Sequence, residues 1–265
     1  MRKILEELGS RDTIAIGGHV RPDGDCVGSC MGMYLYLKKA LPDAQIDVYL
    51  EKPADIFDCI HGIEAVRTDC SKDCVYDIVL DTSKERLGDA EKYFRTAKKT
   101  INVDHHISNA SGCGDVNYCK PDASSASELV YELLEEKYMD AEIAKALYLG
   151  IVHDTGVFQY SNTTPDTLRI AAKLLAYGFD FSKLIDETFF EKTYVQNQVL
   201  GRALLESVRF MDGKCIFSSI DLKTMEFYKV VPKDLDGIVS QLRITKGVEC
   251  AIFLYQTKTL EYKVS

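Results

Sequence analysis

Four short segments of the sequence are rich in histidine and aspartate, side chains that commonly bind divalent metal ions. In chain order they are His19-Val20-Arg21-Pro22-Asp23-Gly24-Asp25, Asp81, Asp104-His105-His106 and His153-Asp154. Imidazole combined with carboxylate suits Mn²⁺, Fe²⁺, Co²⁺ or Zn²⁺, whereas Mg²⁺ prefers oxygen ligands alone. So many candidate ligands exceed what one catalytic ion with open positions can use. The set suffices for two ions that share a bridging carboxylate, an arrangement that can stabilise both the attacking and the leaving oxygen of a phosphoryl transfer.

A calcium-binding loop is excluded for the first of these segments. If Asp23 and Asp25 take the first and third loop positions, Gly28 falls correctly at the sixth. The fifth and twelfth positions are then Val27 and Tyr34, where the loop needs an oxygen ligand and a bidentate glutamate. The segment is therefore not an EF-hand.

Each segment lies where a predicted strand or helix ends. Apolar and alternating runs predict strands over four ranges, namely 13–17, 46–50, 75–80 and 99–103. Three of these strands, 13–17, 75–80 and 99–103, end just before His19, Asp81 and Asp104. Ligands of open α/β sheets bind at the carboxyl ends of the strands. We therefore expect these side chains to lie close together.

Strands that alternate with helices predict an α/β fold with a mostly parallel sheet and helices on both faces. Periodicity and capping residues predict helices over about 2–9, 27–40, 122–138, 140–152, 164–178 and 181–206. Residues 51–74 give no clear pattern. The pattern as a whole predicts a first domain over residues 1–185.

The pattern changes in the last third of the chain. Asp212-Gly213 is a strong hairpin signal between two short apolar runs, and 248–255 with 259–264 predicts a second antiparallel pair. We therefore predict a connector helix over 186–206 and a smaller α+β domain over 207–265, which we expect to be incomplete.

Composition limits the classes of partner. The 265 residues carry a formal net charge of −9, which argues against an extended grip on long nucleic acid because such binding needs many basic side chains. No apolar run is long enough to span a bilayer, and the first ten residues lack the apolar core of a signal peptide. Nine cysteines without a C-x2-C pair suggest reduced thiols, so we expect a cytoplasmic location.

The motifs resemble those of the DHH phosphoesterases. The resemblance rests on Asp104-His105-His106, with His19-x3-Asp23-x-Asp25-x2-Gly28-Ser29 before it and Asp154-Thr155-Gly156 after it. The flanking residues, including Tyr160-Ser161-Asn162-Thr163-Thr164-Pro165, look closest to the bacterial nano-RNase and pAp-phosphatase branch. The resemblance implies a metal-dependent hydrolase of phosphoester bonds that acts on short oligoribonucleotides or pAp through a metal-activated hydroxide.

The resemblance also implies roles for individual side chains. Two divalent ions, foremost Mn²⁺ with Mg²⁺ or Co²⁺ as substitutes, would be held by six ligands: His19 and Asp23 on one ion, Asp25, His105 and Asp154 on the other, and Asp81 between them. Asp104 would orient a neighbouring group, and His106 would face the substrate phosphate and assist the leaving group. We interpret His153 as a packing or orienting residue rather than a ligand.

Ser124 and Ser125 primarily predict a helix cap. The amides and hydroxyls of the segment 124–127 could also contact a substrate phosphate. The family's Gly-Gly-Gly-His motif, which holds the nucleotide end of the substrate, does not occur in the sequence. We therefore interpret 207–265 as a partial DHH-associated domain that binds substrate.

Other functions stay open at the level of the sequence. Cyclic-di-AMP or pApA phosphodiesterases use nearly the same motifs. An inorganic pyrophosphatase or exopolyphosphatase is a further alternative, although 207–265 lacks the basic cluster of the pyrophosphatases. A nucleotide-sensing module without catalysis would also keep such a site. We expect small nucleotides as partners, neither a membrane nor long duplex nucleic acid, and a homodimer is left open.

Overall fold

The computed structural model describes residues 3–9, 12–69, 74 and 76–264. Two compact units make up the chain, Met1–Phe190 and Glu191–Ser265, and each is described by itself. Residues 2 and 75, which begin two of the predicted elements, lie outside the described residues.

The first unit is built on a six-stranded sheet in which every neighbouring pair is parallel. Its strands are β1 (Thr13–Gly17), β2 (Gln45–Tyr49), β3 (Val66–Arg67), β4 (Tyr76–Leu80), β5 (Lys99–Asp104) and β6 (Val116–Cys119), in the spatial order β3-β2-β1-β4-β5-β6. The predicted α/β class and the four predicted strands are confirmed. β3 and β6 were not predicted, because both are short strands at the edges of the sheet.

Helices cover both faces of this sheet. They are α1 (Gly24–Ala40), α2 (Glu91–Thr96), α3 (Ala126–Leu133), α4 (Ala141–Asp154), α5 (Pro165–Leu175) and α6 (Phe181–Ile185). In the main core α1 and α3 lie on one face of the sheet, α4 packs on these two helices and α5 packs on α4. Tyr93 of α2 joins a smaller cluster with Ala15 and Val79 on the other face. Among the described residues, no helix is both long and apolar enough to cross a membrane.

Four predicted helices are longer than the observed ones: 2–9 forms only a 3-10 turn at Ile4–Glu6 among its described residues, and 164–178 shortens to α5. The segment 122–138 forms α3 and then a short 3-10 turn at Glu136–Tyr138. The segment 181–206 is not one helix: α6 is followed by a π turn at Asp186–Phe190, and α7 (Tyr194–Leu205) starts anew. The break occurs because Thr193 and Gln196 form a capping box that begins a fresh helix.

Helices α1 and α4 cross at very short distance because glycines line the contact. A Cβ on Gly28 would lie 2.5 Å from the carbonyl oxygen of Ala146 and 2.7 Å from the amide nitrogen of Gly150. No larger side chain fits between backbones this close. The crossing fixes the N-terminal turn of α1 relative to the C-terminal half of α4, which both carry predicted metal ligands.

The second unit contains a four-stranded sheet and three helices. Its elements are α7, β7 (Val208–Phe210), β8 (Cys215–Ile220), α8 (Leu222–Tyr228), α9 (Ile238–Arg243), β9 (Cys250–Lys258) and β10 (Glu261–Val264). The pairs β7–β8 and β9–β10 are antiparallel as predicted, whereas β8 and β9 pair in parallel across α8 and α9. Val199 and Ala203 of α7 lie in the core of this unit. The division of the chain thus falls at residue 190, ahead of α7. The substrate-binding role of 207–265 stays a prediction.

Asp77 is a buried carboxyl in the middle of the first sheet. Its burial can be tested through the pH dependence of the stability of the fold. It pairs in register with Ala15 and Thr100, is 2% exposed, and its Oδ2 has no hydrogen-bond partner among the described residues. Burial raises its pKa to about 8. The folded chain therefore keeps a proton that the unfolded chain releases near pH 4, so folding loses stability as the pH rises between these values.

We expect Asp77→Asn to be more stable than the parent, because the amide stays neutral in both states. The gain in unfolding free energy should grow between pH 5 and pH 8, by up to about 1.4 kcal/mol per pH unit. Urea unfolding at several pH values measures it. Asp43→Asn, at an exposed position, is the control. A gain that does not change with pH would contradict the assignment.

Candidate metal centre

The predicted site residues converge at the carboxyl ends of three neighbouring strands. His19 follows β1, Asp81 follows β4, and Asp104 ends β5 with His105 and His106 directly after it. β1 and β4 lie side by side although β2 and β3 come between them in the chain. Such a switch in strand order opens a crevice at the sheet edge, which is the usual ligand position in this type of fold.

The first turn of α1 brings two further carboxylates to the same edge. Asp23 is the N-cap of α1, and its Oδ1 accepts hydrogen bonds from the amides of Asp25 and Cys26, both 3.1 Å long. The other oxygen, Oδ2, lies 3.6 Å from Nε2 of His19. The cap therefore fixes Asp23 with one oxygen turned towards the histidine.

Asp81 occupies the centre of the cluster. Its Oδ2 lies 3.4 Å from Nε2 of His19, and its Oδ1 lies 3.4 Å from Nε2 of His105. Oδ1 is buried and has no hydrogen-bond partner among the described residues. The backbone of Asp81 has a φ of +58°, a strained conformation for a residue other than glycine. Oδ1 also lies 3.6 Å from Nδ1 of His106, so the carboxylate faces His19 with one oxygen and His105 and His106 with the other.

A second group of donors surrounds His105. Its Nε2 lies 3.8 Å from Oδ2 of Asp25 and 3.7 Å from Oδ2 of Asp154. The donor atoms of these three side chains lie within 4.8 Å of one another. Ligands at about 2.1 Å from a common ion are separated by roughly 3 to 4 Å. The spacing therefore fits a shared divalent cation.

The carboxylate of Asp25 is held by the start of α3. The amide of Ala126 donates to its Oδ2 at 2.6 Å, and the amide of Ser127 donates to its Oδ1 at 2.9 Å. Burial, together with the charge of Asp81, raises the pKa of Asp25 well above its ordinary value. The sequence suggested that the amides of the serine-rich segment 124–127 could contact a substrate phosphate. Those of Ala126 and Ser127 instead bind Asp25, because a buried carboxylate needs donors.

A hydrogen bond fixes the tautomer of His19, and the shifted pKa values of His105 and Asp154 reflect the excess of negative charge at the site. Nδ1 of His19 lies 2.9 Å from the carbonyl oxygen of Val20 and donates to it, which leaves Nε2 as a free acceptor. Burial lowers the pKa of His105, but its carboxylate neighbours outweigh this and raise the pKa to about 9. Burial and the charge of Asp81 raise the pKa of Asp154 to about 6 although His105 lowers it. The carboxylates of the site thus outnumber its cationic groups, and bound divalent ions would supply the missing positive charge.

Asp104 and His106 form a hydrogen-bonded pair next to Asp81. Oδ1 of Asp104 accepts from Nδ1 of His106 at 2.7 Å, and Oδ2 accepts from Nδ2 of Asn109 at 2.7 Å. Burial raises the pKa of Asp104, but these hydrogen bonds outweigh it and the pKa is lowered. The side chain of His106 is 37% exposed. Asp104 therefore fixes the ring while Nε2 stays free to meet a substrate.

Three asparagines support the site and were not predicted. Asn102 donates to the carbonyl oxygen of Thr82 at 2.9 Å and so holds the turn that follows Asp81. Nδ2 of Asn109 donates hydrogen bonds to the side-chain oxygens of Asn102 and Asp104. Asn162 lies 3.3 Å from a carboxylate oxygen of Asp154. The role of Asn102 could have been predicted, because a single amide side chain inside the apolar strand Ile101-Asn102-Val103 needs a hydrogen-bond partner.

The two serines of the predicted substrate contact are used inside the protein. Ser124 and Ser125 are fully buried. Ser124 donates its hydroxyl to Glu128, and Ser125 caps α3 by accepting from the amide of Glu128. The structure therefore uses Ser125 as the cap of α3 and Ser124 as a hydrogen-bond partner of Glu128, and we do not include them in the proposal below.

His153 lies beside the cluster without joining it. Its Nε2 lies 3.0 Å from the hydroxyl of Thr188, and its ring packs against Phe57 and Phe189. Burial lowers its pKa to about 4. A Cβ on Gly24 would overlap this ring. His153 thus packs against the start of α1, which agrees with its interpretation as a packing residue.

Gly150 of α4 gives a test of how closely the site is packed. An added Cβ would overlap Oγ of Ser127 and lie 2.7 Å from Oδ1 of Asp25. We expect Gly150→Ala to displace Asp25, to weaken Mn²⁺ binding at least about tenfold and to cost about 1–3 kcal/mol of stability. Gly201→Ala is the matched control, because its Cβ would have no atom within 4 Å. Isothermal titration and thermal unfolding in chelator measure both effects, and unchanged Mn²⁺ affinity would contradict the prediction.

Comparisons with known proteins identify the family of the chain. Residues 13–151 match the model of the DHH family, N-terminal domain. The chain is 28% identical over 259 residues to the bifunctional oligoribonuclease and PAP phosphatase NrnA of Bacillus subtilis, which covers 96% of this chain and 81% of that protein. The protein of the same name from Thermus thermophilus is 28% identical over 267 residues, which cover 96% of this chain and 76% of that protein.

A solved structure shows the same fold. The exopolyphosphatase-related protein from Bacteroides fragilis superposes with a TM-score of 0.86 at 22% identity, covering 96% of this chain and 78% of that one. The family model spans more than half of the chain and includes all predicted ligands except Asp154. The chain therefore belongs to the DHH family, and the predictions of that family and of a hydrolase of phosphoester bonds are confirmed.

Proposed function

We propose that this protein hydrolyses short oligoribonucleotides and pAp at a centre of two divalent ions, foremost Mn²⁺. The observation that carries the proposal is Asp81, whose two carboxylate oxygens face two different histidines, His19 and His105, each at 3.4 Å. Its strained backbone and unpartnered Oδ1 support a role in function rather than in folding. His19, Asp23 and Asp81 would hold one ion, and the second ion would be held by Asp25, His105, Asp154 and the same Asp81.

The ions, when bound, acidify a water molecule and neutralise charge on the phosphate. The chain itself positions the reacting groups. Asp104 holds His106 by a 2.7 Å hydrogen bond, so the ring presents Nε2 to a phosphate oxygen or to the leaving oxygen. This contact can stabilise charge or deliver a proton as the bond to phosphorus breaks. In this proposal Asp104 and His106 are the catalytic pair beside the metal ligands.

Small anionic substrates fit the charge of the chain. A net charge of −9 repels long polyanions, whereas one or two phosphates beside bound cations are compensated locally. The relatives from Bacillus subtilis and Thermus thermophilus carry names that combine oligoribonuclease and PAP phosphatase. Their coverage of nearly the whole chain supports the same pair of substrates here, with 207–265 as the substrate-binding domain.

The test is a comparison of substrates with defined metal content. The protein is incubated with pApA, pAp, cyclic-di-AMP, a 24-nucleotide RNA (on the order of ten times a dinucleotide's charge) and pyrophosphate, each with Mn²⁺. We expect AMP from pApA, and AMP with phosphate from pAp, and little turnover of the long RNA. A chelator should abolish turnover, and added Mn²⁺ should restore it.

Two outcomes would contradict the proposal. One is the absence of turnover of pApA and pAp by protein that holds both ions. The other is faster turnover of pyrophosphate or cyclic-di-AMP than of either proposed substrate. A nucleotide-sensing module would instead bind pAp in the presence of the chelator with unchanged affinity, which calorimetry measures directly.

A further inference from the structure

A cysteine lies among the donors that the proposed function assigns to the first ion. Cys26 is fully buried in the first turn of α1. Its Sγ, a ring nitrogen of His19 and a carboxylate oxygen of Asp81 lie within 4.8 Å of one another. Asp81 is 2% exposed and carries the unpartnered Oδ1. The thiol therefore lies in a buried donor cluster with Asp81, whose Oδ2 faces His19 and whose unpartnered Oδ1 faces His105.

The position of this thiol is built into the backbone around it. The amide of Cys26 is bound by the Asp23 cap at 3.1 Å, which fixes the turn from which the side chain projects. Gly18 directly precedes His19, and a Cβ at that position would overlap Sγ of Cys26. The sulfur thus fills the space beside the His19 backbone that any larger residue at position 18 would need. A glycine there lets thiol and imidazole lie side by side.

We propose that Cys26 is a further protein ligand of the ion held by His19, Asp23 and Asp81. This inference rests on the proposed two-ion centre. Coordination breaks the S–H bond, forms a sulfur–metal bond and releases one proton to solvent. Thiolate is a soft ligand that favours Zn²⁺ and Co²⁺ over Mn²⁺ and Mg²⁺.

The two ion positions therefore differ in metal preference. The group around His105 offers only nitrogen and oxygen donors, from His105, Asp25, Asp154 and Asp81. The group around His19 adds sulfur. With Zn²⁺ and Mn²⁺ both present, we expect the first position to take Zn²⁺ and the second to accept Mn²⁺ more readily.

Cys30 provides a matched control on the same helix. It lies one turn after Cys26, is also fully buried, and would be 3.2 Å from a Cβ on Gly18. It belongs to none of the donor clusters found among the described residues. Substituting either cysteine with serine changes a buried thiol to a hydroxyl in the same helix, so the two variants carry comparable structural cost.

The test uses Co²⁺ alone, because a cobalt–thiolate bond absorbs strongly in the near ultraviolet through charge transfer. Chelator-treated protein is titrated with Co²⁺ in a phosphine reductant, which keeps cysteines reduced without adding thiols. We expect the band in the parent and in Cys30→Ser. Cys26→Ser should lack it, and its Co²⁺ affinity at one position should fall at least about tenfold. Metal analysis of each sample gives the ions bound per chain, and Cys26→Ala serves if the serine variant does not fold.

The inference is overturned if the parent binds two Co²⁺ ions without the band, or if the band persists in Cys26→Ser. Loss of the band in Cys30→Ser but not in Cys26→Ser would likewise overturn it. This experiment is independent of turnover. A parent that shows the band and yet fails to cleave pApA or pAp would refute the proposed substrates while leaving Cys26 as a ligand.

Discussion

Asp81→Asn is expected to lower the turnover of pApA by at least about 100-fold while the chain stays folded. Asn has nearly the same volume as Asp, and it is one of the few residues that tolerates a positive φ such as the +58° found here. The backbone strain is therefore retained without a new clash. What changes is the chemistry of the two atoms that face His19 and His105.

The loss follows from the bridging geometry. In the parent, both oxygens of Asp81 are equivalent negative acceptors, each 3.4 Å from a histidine nitrogen. In the variant, one of these atoms becomes an amide NH₂, which donates and cannot bind a cation. One ion then loses a charged ligand, and the pair loses the group that would hold it together. Equilibrium dialysis with Mn²⁺ should find about one ion fewer per chain.

Asp77→Asn is the control for this variant. Both aspartates are 2% exposed and are four residues apart, but Asp77 lies at the start of β4, away from the cluster. The same chemical change there should leave turnover and Mn²⁺ content unaltered. If Asp81→Asn keeps both ions and more than half of the turnover, Asp81 does not bridge a metal pair.

The arrangement of the site was accessible from sequence because parallel strands end at one edge. Apolar runs marked β1, β4 and β5, and the residues after each run were the polar ones. Their convergence follows from topology alone once a parallel sheet is assumed. Local patterns also gave both hairpins of the second unit, since a turn such as Asp212-Gly213 joins neighbours in the chain.

What the sequence did not give depends on contacts between distant residues. The amides of Ala126 and Ser127 bind Asp25 across about a hundred positions, and no local pattern announces this. The parallel pairing of β8 with β9 is similarly non-local. β3 has two residues, too few for any periodicity. The proximity of Cys26 to His19 depends on how α1 packs against the loop after β1, which the spacing of the motif alone does not determine.

His105→Gln is expected to reduce turnover of pApA at least about 100-fold, comparably to the change at Asp81. Nε2 of His105 lies 3.4 to 3.8 Å from oxygens of Asp25, Asp81 and Asp154. Three carboxylates thus converge on this nitrogen. Glutamine keeps most of the volume, but its neutral amide is a poor ligand for Mn²⁺ beside these oxygens. We therefore expect selective loss of the ion at the second position.

Selective loss separates this variant from a general unfolding effect. The group around His19 keeps all its donors in His105→Gln, so one high-affinity Mn²⁺ site per chain should remain, and if Cys26 is a ligand the cobalt–thiolate band should remain too. His61→Gln, at an exposed position outside the site, is the control and should keep both ions and full turnover. Mn²⁺ titration followed by calorimetry distinguishes one site from two. Two undiminished sites with unchanged turnover would show that His105 is not a ligand, whereas loss of both ions would show that the two positions fill only together, through Asp81.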